Sequence, residues 1–154
     1  MEELKIGDKA PEIEAKDQNG EPISLNAYRG KTVVLYFYPK DDTPGCTAEA
    51  CDFRDNYQGL QAKDIVVLGV SADDENSHKK FISKHSLPFP LVADTEHKVV
   101  NDYGVWVEKN MYGKKYMGIS RSTFVIDEQG EIQHIIKKVD TKNASQQVLE
   151  LIGR

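Results

Sequence analysis

Cys46 and Cys51 are the only thiols in this 154-residue chain, and they stand five residues apart in Tyr38-Pro39-Lys40-Asp41-Asp42-Thr43-Pro44-Gly45-Cys46-Thr47-Ala48-Glu49-Ala50-Cys51, straight after an apolar run. Proline is favoured at the first helical position and threonine is a good N-cap. Thr43 therefore reads as N-cap, Pro44 as the first helical residue and Cys46 as the third. That places one sulfur among backbone N–H groups that have no intrahelical acceptor. The thiolate is the nucleophilic form and helix N-termini favour it, so the pattern points to reactive sulfur chemistry.

The helix terminus cannot supply the activation alone. A free cysteine near pKa 8.5 is about 3% ionised at neutral pH, and reaching about 90% requires roughly 3.4 kcal/mol. A helix N-terminus typically supplies about 0.3–1 kcal/mol. Glu49, three residues beyond Cys46, opposes ionisation unless it is paired or turned aside. Arg54 sits about 12 Å of helical rise away, so the cation has to come from another element. Arg121, opening a later strand, is the candidate, with Lys40 behind it.

The elements that position these residues follow from pattern. Asn19-Gly20, between 13–15 and 23–25, predicts an N-terminal hairpin. The runs 32–38 and 65–70 are continuously β-branched or aromatic and read as central strands buried on both faces. The segment from Cys46 to about Leu60 then crosses between them as a helix, giving a βαβ unit. Asp73 and Asp74 open a second helix through His85. A short strand follows at 90–93, and a short helix at 97–103 is stopped by Gly104. The stretch 108–118, rich in Lys, Tyr and Gly, reads as a loop or irregular hairpin. Residues 121–126 and 131–136 flank the turn 127–130 as a further hairpin, and 144–152 form a closing helix. No repeat, linker or low-complexity segment divides the chain, so residues 1–154 read as a single α/β domain.

At this point the residues match a known pattern. The spacing Pro39-x-x-x-Thr43-x-x-Cys46, Glu49 three residues on, and the arginine of Arg121-Ser122-Thr123-Phe124 resemble the peroxiredoxin active site. The second cysteine within the same helix is similar to the Q-type, bacterioferritin-comigratory branch. The resemblance runs from Gly7-Asp8-Lys9-Ala10-Pro11 to the closing helix. It implies a thioredoxin-like fold, a central mixed sheet flanked by helices with an N-terminal β-hairpin. It also implies a peroxidase without haem, flavin or metal cofactor, acting on hydrogen peroxide and small organic hydroperoxides. On this resemblance Cys46 is the peroxidatic cysteine and Cys51 the resolving one. The Thr43 hydroxyl contacts thiolate and peroxide, Pro39 shields the sulfenate, Arg121 stabilises thiolate and transition state, and Glu49 orients Arg121. A thioredoxin-like reductant and a monomeric state are likewise implied.

Each of these residues has a plainer reading. A helical cysteine serves as a small core residue, Thr43 as a simple cap, Arg121 as a surface ion pair, Pro39 as a turn residue and Glu49 as part of a solvated face. His78, His85, His97 and His134 lack metal-ligand spacing and are expected mostly at the surface. Tyr36, Phe37, Tyr38 and Trp106 suit core and pocket wall. The net charge of −5, without basic clusters, argues against nucleic acid. Two cysteines are no secreted disulfide framework, the first residues do not resemble a signal segment, and no run approaches the roughly 18 apolar residues of a membrane span, so a cytoplasmic location is expected. The alternative activity is thiol–disulfide exchange on protein disulfides, for which a two-residue spacer would be the better sign than the four found here.

Overall fold

A computed structural model describes residues 3–153. Met1, Glu2 and Arg154, which belong to the sequence-derived N-terminal segment and domain span, lie outside the described residues. The element order is β1 (Ala15–Lys16), β2 (Pro22–Ile23), a 3₁₀ turn (Leu25–Tyr28), β3 (Thr32–Phe37), α1 (Pro44–Gln61), β4 (Ile65–Ser71), α2 (Glu75–His85), β5 (Leu91–Ala93), α3 (Lys98–Asp102), β6 (Trp106–Met111), β7 (Lys114–Ile119), β8 (Ser122–Ile126), β9 (Ile132–Ile136) and α4 (Ala144–Ile152). Seven strands form one mixed sheet in the order β2-β1-β5-β4-β3-β8-β9. β3 runs parallel to β4 and antiparallel to β8.

Alternation along β3 separates two cores. Val33, Leu35 and Phe37 face one side with Val99, Val100 and Tyr103. Val34, Tyr36 and Tyr38 face the other with Phe53, Tyr57 and Leu60 of α1, Phe81 of α2 and Val148 of α4. All six β3 residues are buried, as a strand covered on both faces demands. Gly69 has a steric role here: a Cβ on it would lie 2.9 Å from the Tyr36 ring and 2.7 Å from Leu91.

The N-terminal hairpin forms as expected but with two-residue strands, its turn held by Asp17 Oδ1, which accepts from the Asn19 and Glu21 amides. Of the two readings of 108–118, loop or irregular hairpin, the structure takes the hairpin and makes it regular. It has two six-residue strands, β6 and β7, paired from Trp106↔Ile119 to Met111↔Lys114. Tyr112 and Gly113 both take positive φ, 53° and 82°, the geometry a two-residue hairpin turn needs. The tyrosine disguises that turn in the sequence.

Candidate active site

The antiparallel register Phe37↔Ser122 brings the end of β3 and the start of β8 to the same edge. The loop 38–43 and the first turn of α1 leave from β3 there, and Arg121 immediately precedes β8. Residues 75 positions apart in sequence are thereby joined, and Arg121 Nη2 donates to Cys46 Sγ at 3.2 Å. Its Nη1 donates to Glu49 Oε1 at 2.7 Å. Glu49 is thus turned to the arginine, which removes the repulsion anticipated for an unpaired carboxylate. Gly45 makes the approach possible, since a Cβ there would sit 3.2 Å from Arg121 Nη2.

Cys46 is buried, 1% exposed, and Glu49 is fully buried. Burial pushes the Glu49 carboxyl up to about 7, against the pull of Arg121. Burial also works against the Arg121 charge, but Cys46 and Glu49 outweigh it and hold the guanidinium above its ordinary range. A donor that is always charged is thus aimed at the sulfur. Glu49 Oε2 and the Tyr36 hydroxyl are the two buried side-chain oxygens without a hydrogen-bond partner among the described residues. Burial, reinforced by Glu49 and Cys46, raises the Tyr36 phenol well above its usual value, so it remains a neutral donor beside the site.

The other sequence-derived residues are placed as follows. Thr43 occupies the N-cap position, but its side chain does not cap; the hydroxyl donates to the Lys40 carbonyl at 2.8 Å. Its backbone carbonyl accepts from the Thr47 amide at 2.8 Å. Pro39 is exposed at the start of the loop. Cys51 is half-buried on the intact helix, and both cysteines are free. Trp106 stacks on His97 with ring centroids 4.2 Å apart, so both belong to a packed surface element.

The histidines correct the expectation of surface placement. None of the four is in the exposed class, and His78 is 0% exposed. Its Nδ1 lies 2.7 Å from Asp41 Oδ2 and its Nε2 lies 2.9 Å from the Val92 carbonyl. A carbonyl only accepts, so Nε2 bears a proton, and an ionised Asp41 requires one on Nδ1 as well. Asp41 also accepts from Tyr38 at 2.6 Å and Ser77 at 2.8 Å. Asp41, Asp73 and His78 cluster closely enough to hold a metal ion, but both imidazole nitrogens already face protein acceptors, so the set forms a proton-bearing clamp on the loop 38–43.

Two residues near the sulfur were not singled out from sequence. Gly45 carries no local signal, because its role depends on an arginine from another strand. Lys109 on β6 lies within electrostatic range of Arg121 and Cys46, and burial together with Arg121 lowers its pKa. It belongs to the hairpin whose regular pairing composition disguised. A separate cleft of about 500 Å³, lined by residues including Glu14, Asp74, Glu75 and Asp94, contains neither cysteine.

Comparison with known proteins agrees with this geometry. The model of the AhpC/TSA family matches residues 6–135. The chain therefore belongs to the AhpC/TSA family, the peroxiredoxins. Within that family it is similar to Peroxiredoxin Bcp of Bacillus subtilis, 48% identical over 149 residues covering 97% of this chain and 95% of the relative. Among solved structures, PrxQ of Xylella fastidiosa superposes with a TM-score of 0.89 at 31% identity, covering 99% of this chain and 98% of that one. The bacterioferritin comigratory protein of Xanthomonas campestris, studied for its alkyl peroxide reduction activity, gives a TM-score of 0.85 at 37% identity over 92% of this chain and 90% of that one. These relatives share the thioredoxin fold anticipated from the sequence.

Proposed function

We propose that this protein is a thiol-dependent peroxidase that reduces hydrogen peroxide and organic hydroperoxides at Cys46. The observation that carries the reading is the Arg121 fork, which reaches the buried Cys46 sulfur and the Glu49 carboxylate together. The thiolate attacks the outer oxygen of the peroxide, an S–O bond forms and the O–O bond breaks. The leaving oxygen departs with the electron pair and takes up a proton to become water or alcohol. Charge grows on that oxygen, so Arg121 and the unpaired amides of the first helical turn act as preorganised donors. With its proton directed to Lys40, the Thr43 hydroxyl keeps lone pairs free to accept from the peroxide O–H. Pro39 covers the loop side of the nascent sulfenate.

Cys51 then attacks the sulfenic sulfur, a disulfide forms and water leaves. On an intact helix, residues five apart have Cα atoms about 8.6 Å apart, beyond the roughly 7 Å limit of a disulfide. The first turns of α1 therefore unwind. Phe53, Tyr57 and Leu60 anchor the remaining turns, each contributing about 1.5–3 kcal/mol of burial, whereas 45–51 holds small side chains and one glutamate. Asp52 marks the boundary, because its Oδ2 accepts from the Ser145 amide at 2.7 Å and hydroxyl at 2.5 Å.

A thioredoxin-like dithiol regenerates the unwound, accessible disulfide. The second thiol is in the same chain, so a monomer suffices. Thiol–disulfide exchange on protein partners is disfavoured by the 1% exposure of Cys46, since a bulky disulfide must reach that sulfur while a peroxide is small. Among the described residues no helix is long and apolar enough to cross a membrane, and a cytoplasmic location suits an enzyme fed by such a reductant.

The test is rapid mixing of reduced protein with stoichiometric peroxide, with mass spectrometry of the products. The wild type ends as the Cys46–Cys51 disulfide, Cys51→Ser stops at sulfenate and proceeds to sulfinate, and Cys46→Ser consumes no peroxide. Peroxide consumption by Cys46→Ser at the wild-type rate would remove the assignment.

A further inference from the structure

The resolving thiol has a partner of its own. Cys51 Sγ lies 3.9 Å from His85 Nδ1, and the other ring nitrogen, Nε2, lies 3.3 Å from Asp42 Oδ1. A carboxylate accepts only, which assigns the proton of the neutral imidazole to Nε2 and leaves its Nδ1 lone pair facing the sulfur. We propose that His85 is the general base that takes the proton of Cys51 for disulfide formation, with Asp42 fixing its tautomer and orientation. The inference rests on the reading of Cys51 as the resolving cysteine.

The surroundings support the arrangement from each packed element. On α2, Lys84 donates to both oxygens of Asp42, at 2.8 and 3.1 Å, and this together with the His85 contact holds the Asp42 carboxyl below its usual range. On α1, Arg54 Nη1 donates to the His85 carbonyl at 2.8 Å while its Nε pairs with Asp55 at 2.9 Å. Its guanidinium also lies within electrostatic range of Cys51. The Phe81 ring meets the imidazole edge-on with centroids 5.3 Å apart. His85 is the last residue of α2, locked by the left-handed Ser86 that follows, and its side chain is 18% exposed, so the imidazole exchanges protons with solvent. Asp42 itself sits at φ 60°, in the loop that ends at Thr43.

In the step, Cys51 S–H gives its proton to Nδ1 and the thiolate attacks the sulfenic sulfur of Cys46. The S–S bond forms with the Cys51 electron pair, the S–O bond breaks, and the hydroxide leaves and is protonated to water. Cys51 is oxidised and Cys46 reduced by the same amount, and the imidazolium returns its proton to solvent or to the leaving hydroxide. Asp42 and His85 both lie outside the unwinding segment, so the base stays fixed while Cys51 moves.

Sulfenate lifetime, read by trapping at timed intervals after one equivalent of peroxide, tests the proposal in wild type, His85→Gln and Cys51→Ser across pH 6.5 to 9.5. An unassisted thiol is only about 3% ionised at neutral pH, and a base-generated thiolate is somewhat less nucleophilic, so His85→Gln is expected to lengthen the lifetime about tenfold at pH 7. An ordinary thiol needs no base at pH 9.5, so the variant should converge on wild type there. The rate of Cys46 oxidation in the same traces is the internal reference for an intact site. An unchanged lifetime at pH 7, or the same lengthening at every pH, overturns the role of base, the latter because lost packing does not depend on pH. If Cys51→Ser leaves the lifetime unchanged, the resolving role fails and the base with it; if Cys51→Ser lengthens it and His85→Gln does not, the base alone fails.

Discussion

At the scale of single residues, the proposed activation of Cys46 depends on how one guanidinium is shared. Arg121 spans the Cys46 sulfur at 3.2 Å and Glu49 at 2.7 Å. Because burial raises the Glu49 carboxyl to about 7, part of the population at neutral pH holds it protonated, and in those molecules the arginine charge belongs to the sulfur alone. Removing one preorganised donor at a developing oxyanion costs about 10²–10³ in rate, and Arg121→Met is expected to slow the Cys46–peroxide step to that extent while the protein stays folded. Gly45 gives a finer test. A methyl group there sits 3.2 Å from Nη2, tighter than ordinary van der Waals contact, so the fork must shift by a few tenths of an ångström. Gly45→Ala should lower the peroxide rate several-fold in stopped-flow traces with little change in melting temperature, alanine being a better helix former than glycine. A wild-type rate in that variant would mean the close approach of Arg121 is not rate-determining.

At the scale of elements, the chemistry is placed by two chain reversals, one of which could be read in advance and one of which could not. The helix start at Thr43-Pro44 and the apolar runs of β3 and β4 follow local rules, so the position of Cys46 on the first turn was legible from the sequence. The pairing of β8 with β3 is nonlocal; Arg121 could be placed at the sulfur through the family resemblance, while the accompanying need for Gly45 could not. The β6–β7 hairpin, and Lys109 with it, was obscured because its strands are rich in charge and mostly exposed, which removes the alternation that marks a half-buried strand. His78 misled for a similar reason: a histidine among lysines on a polar helix gives no hint that Asp41, 37 residues earlier, waits for it in the core. Asp52 belongs to the same nonlocal class. Asn143, at the N-cap of α4, makes no side-chain cap, and Asp52 of α1 supplies that acceptor to Ser145 instead. Asp52→Ala is expected to cost about 1–2 kcal/mol, as loss of a helix cap does, and to extend rapid amide exchange in the oxidised protein past residue 52 into the next turn. Exchange mass spectrometry that shows the same boundary in variant and wild type would remove Asp52 as the stop for unwinding.

For the whole molecule, Glu49 and His78, two buried groups raised on folding, make stability depend on pH in the same direction. His78 is held above its ordinary value although burial, the largest single influence, lowers it; the Asp41 hydrogen bond and charge, with the Val92 carbonyl, prevail. Its contribution is complete below the unfolded value of about 6.5 and is lost as pH rises through the higher folded one. Glu49 is also raised on folding, so between about 4.5 and 7 the folded protein binds a proton that the unfolded chain has released, and stability falls as pH rises through that window. The expected loss from Glu49 is on the order of 3 kcal/mol. Carboxylates lowered on folding act in the opposite sense, but Asp42 and Glu3 are exposed and their ion pairs contribute little. Protein carrying Cys46→Ser, which has no thiolate beside Arg121 to act in the opposite sense, should therefore show a denaturation midpoint that declines from pH 4.5 towards 8. Glu49→Gln keeps an acceptor for Arg121 but has no proton to release, and it should flatten the lower half of the decline. His78→Gln should flatten the upper half while lowering stability throughout, because a buried Asp41 that loses a charged partner costs about 3–5 kcal/mol. If Glu49→Gln left the slope between pH 4.5 and 7 unchanged, Glu49 would be ionised throughout, and the arginine would be shared between carboxylate and sulfur at every pH at which the enzyme works.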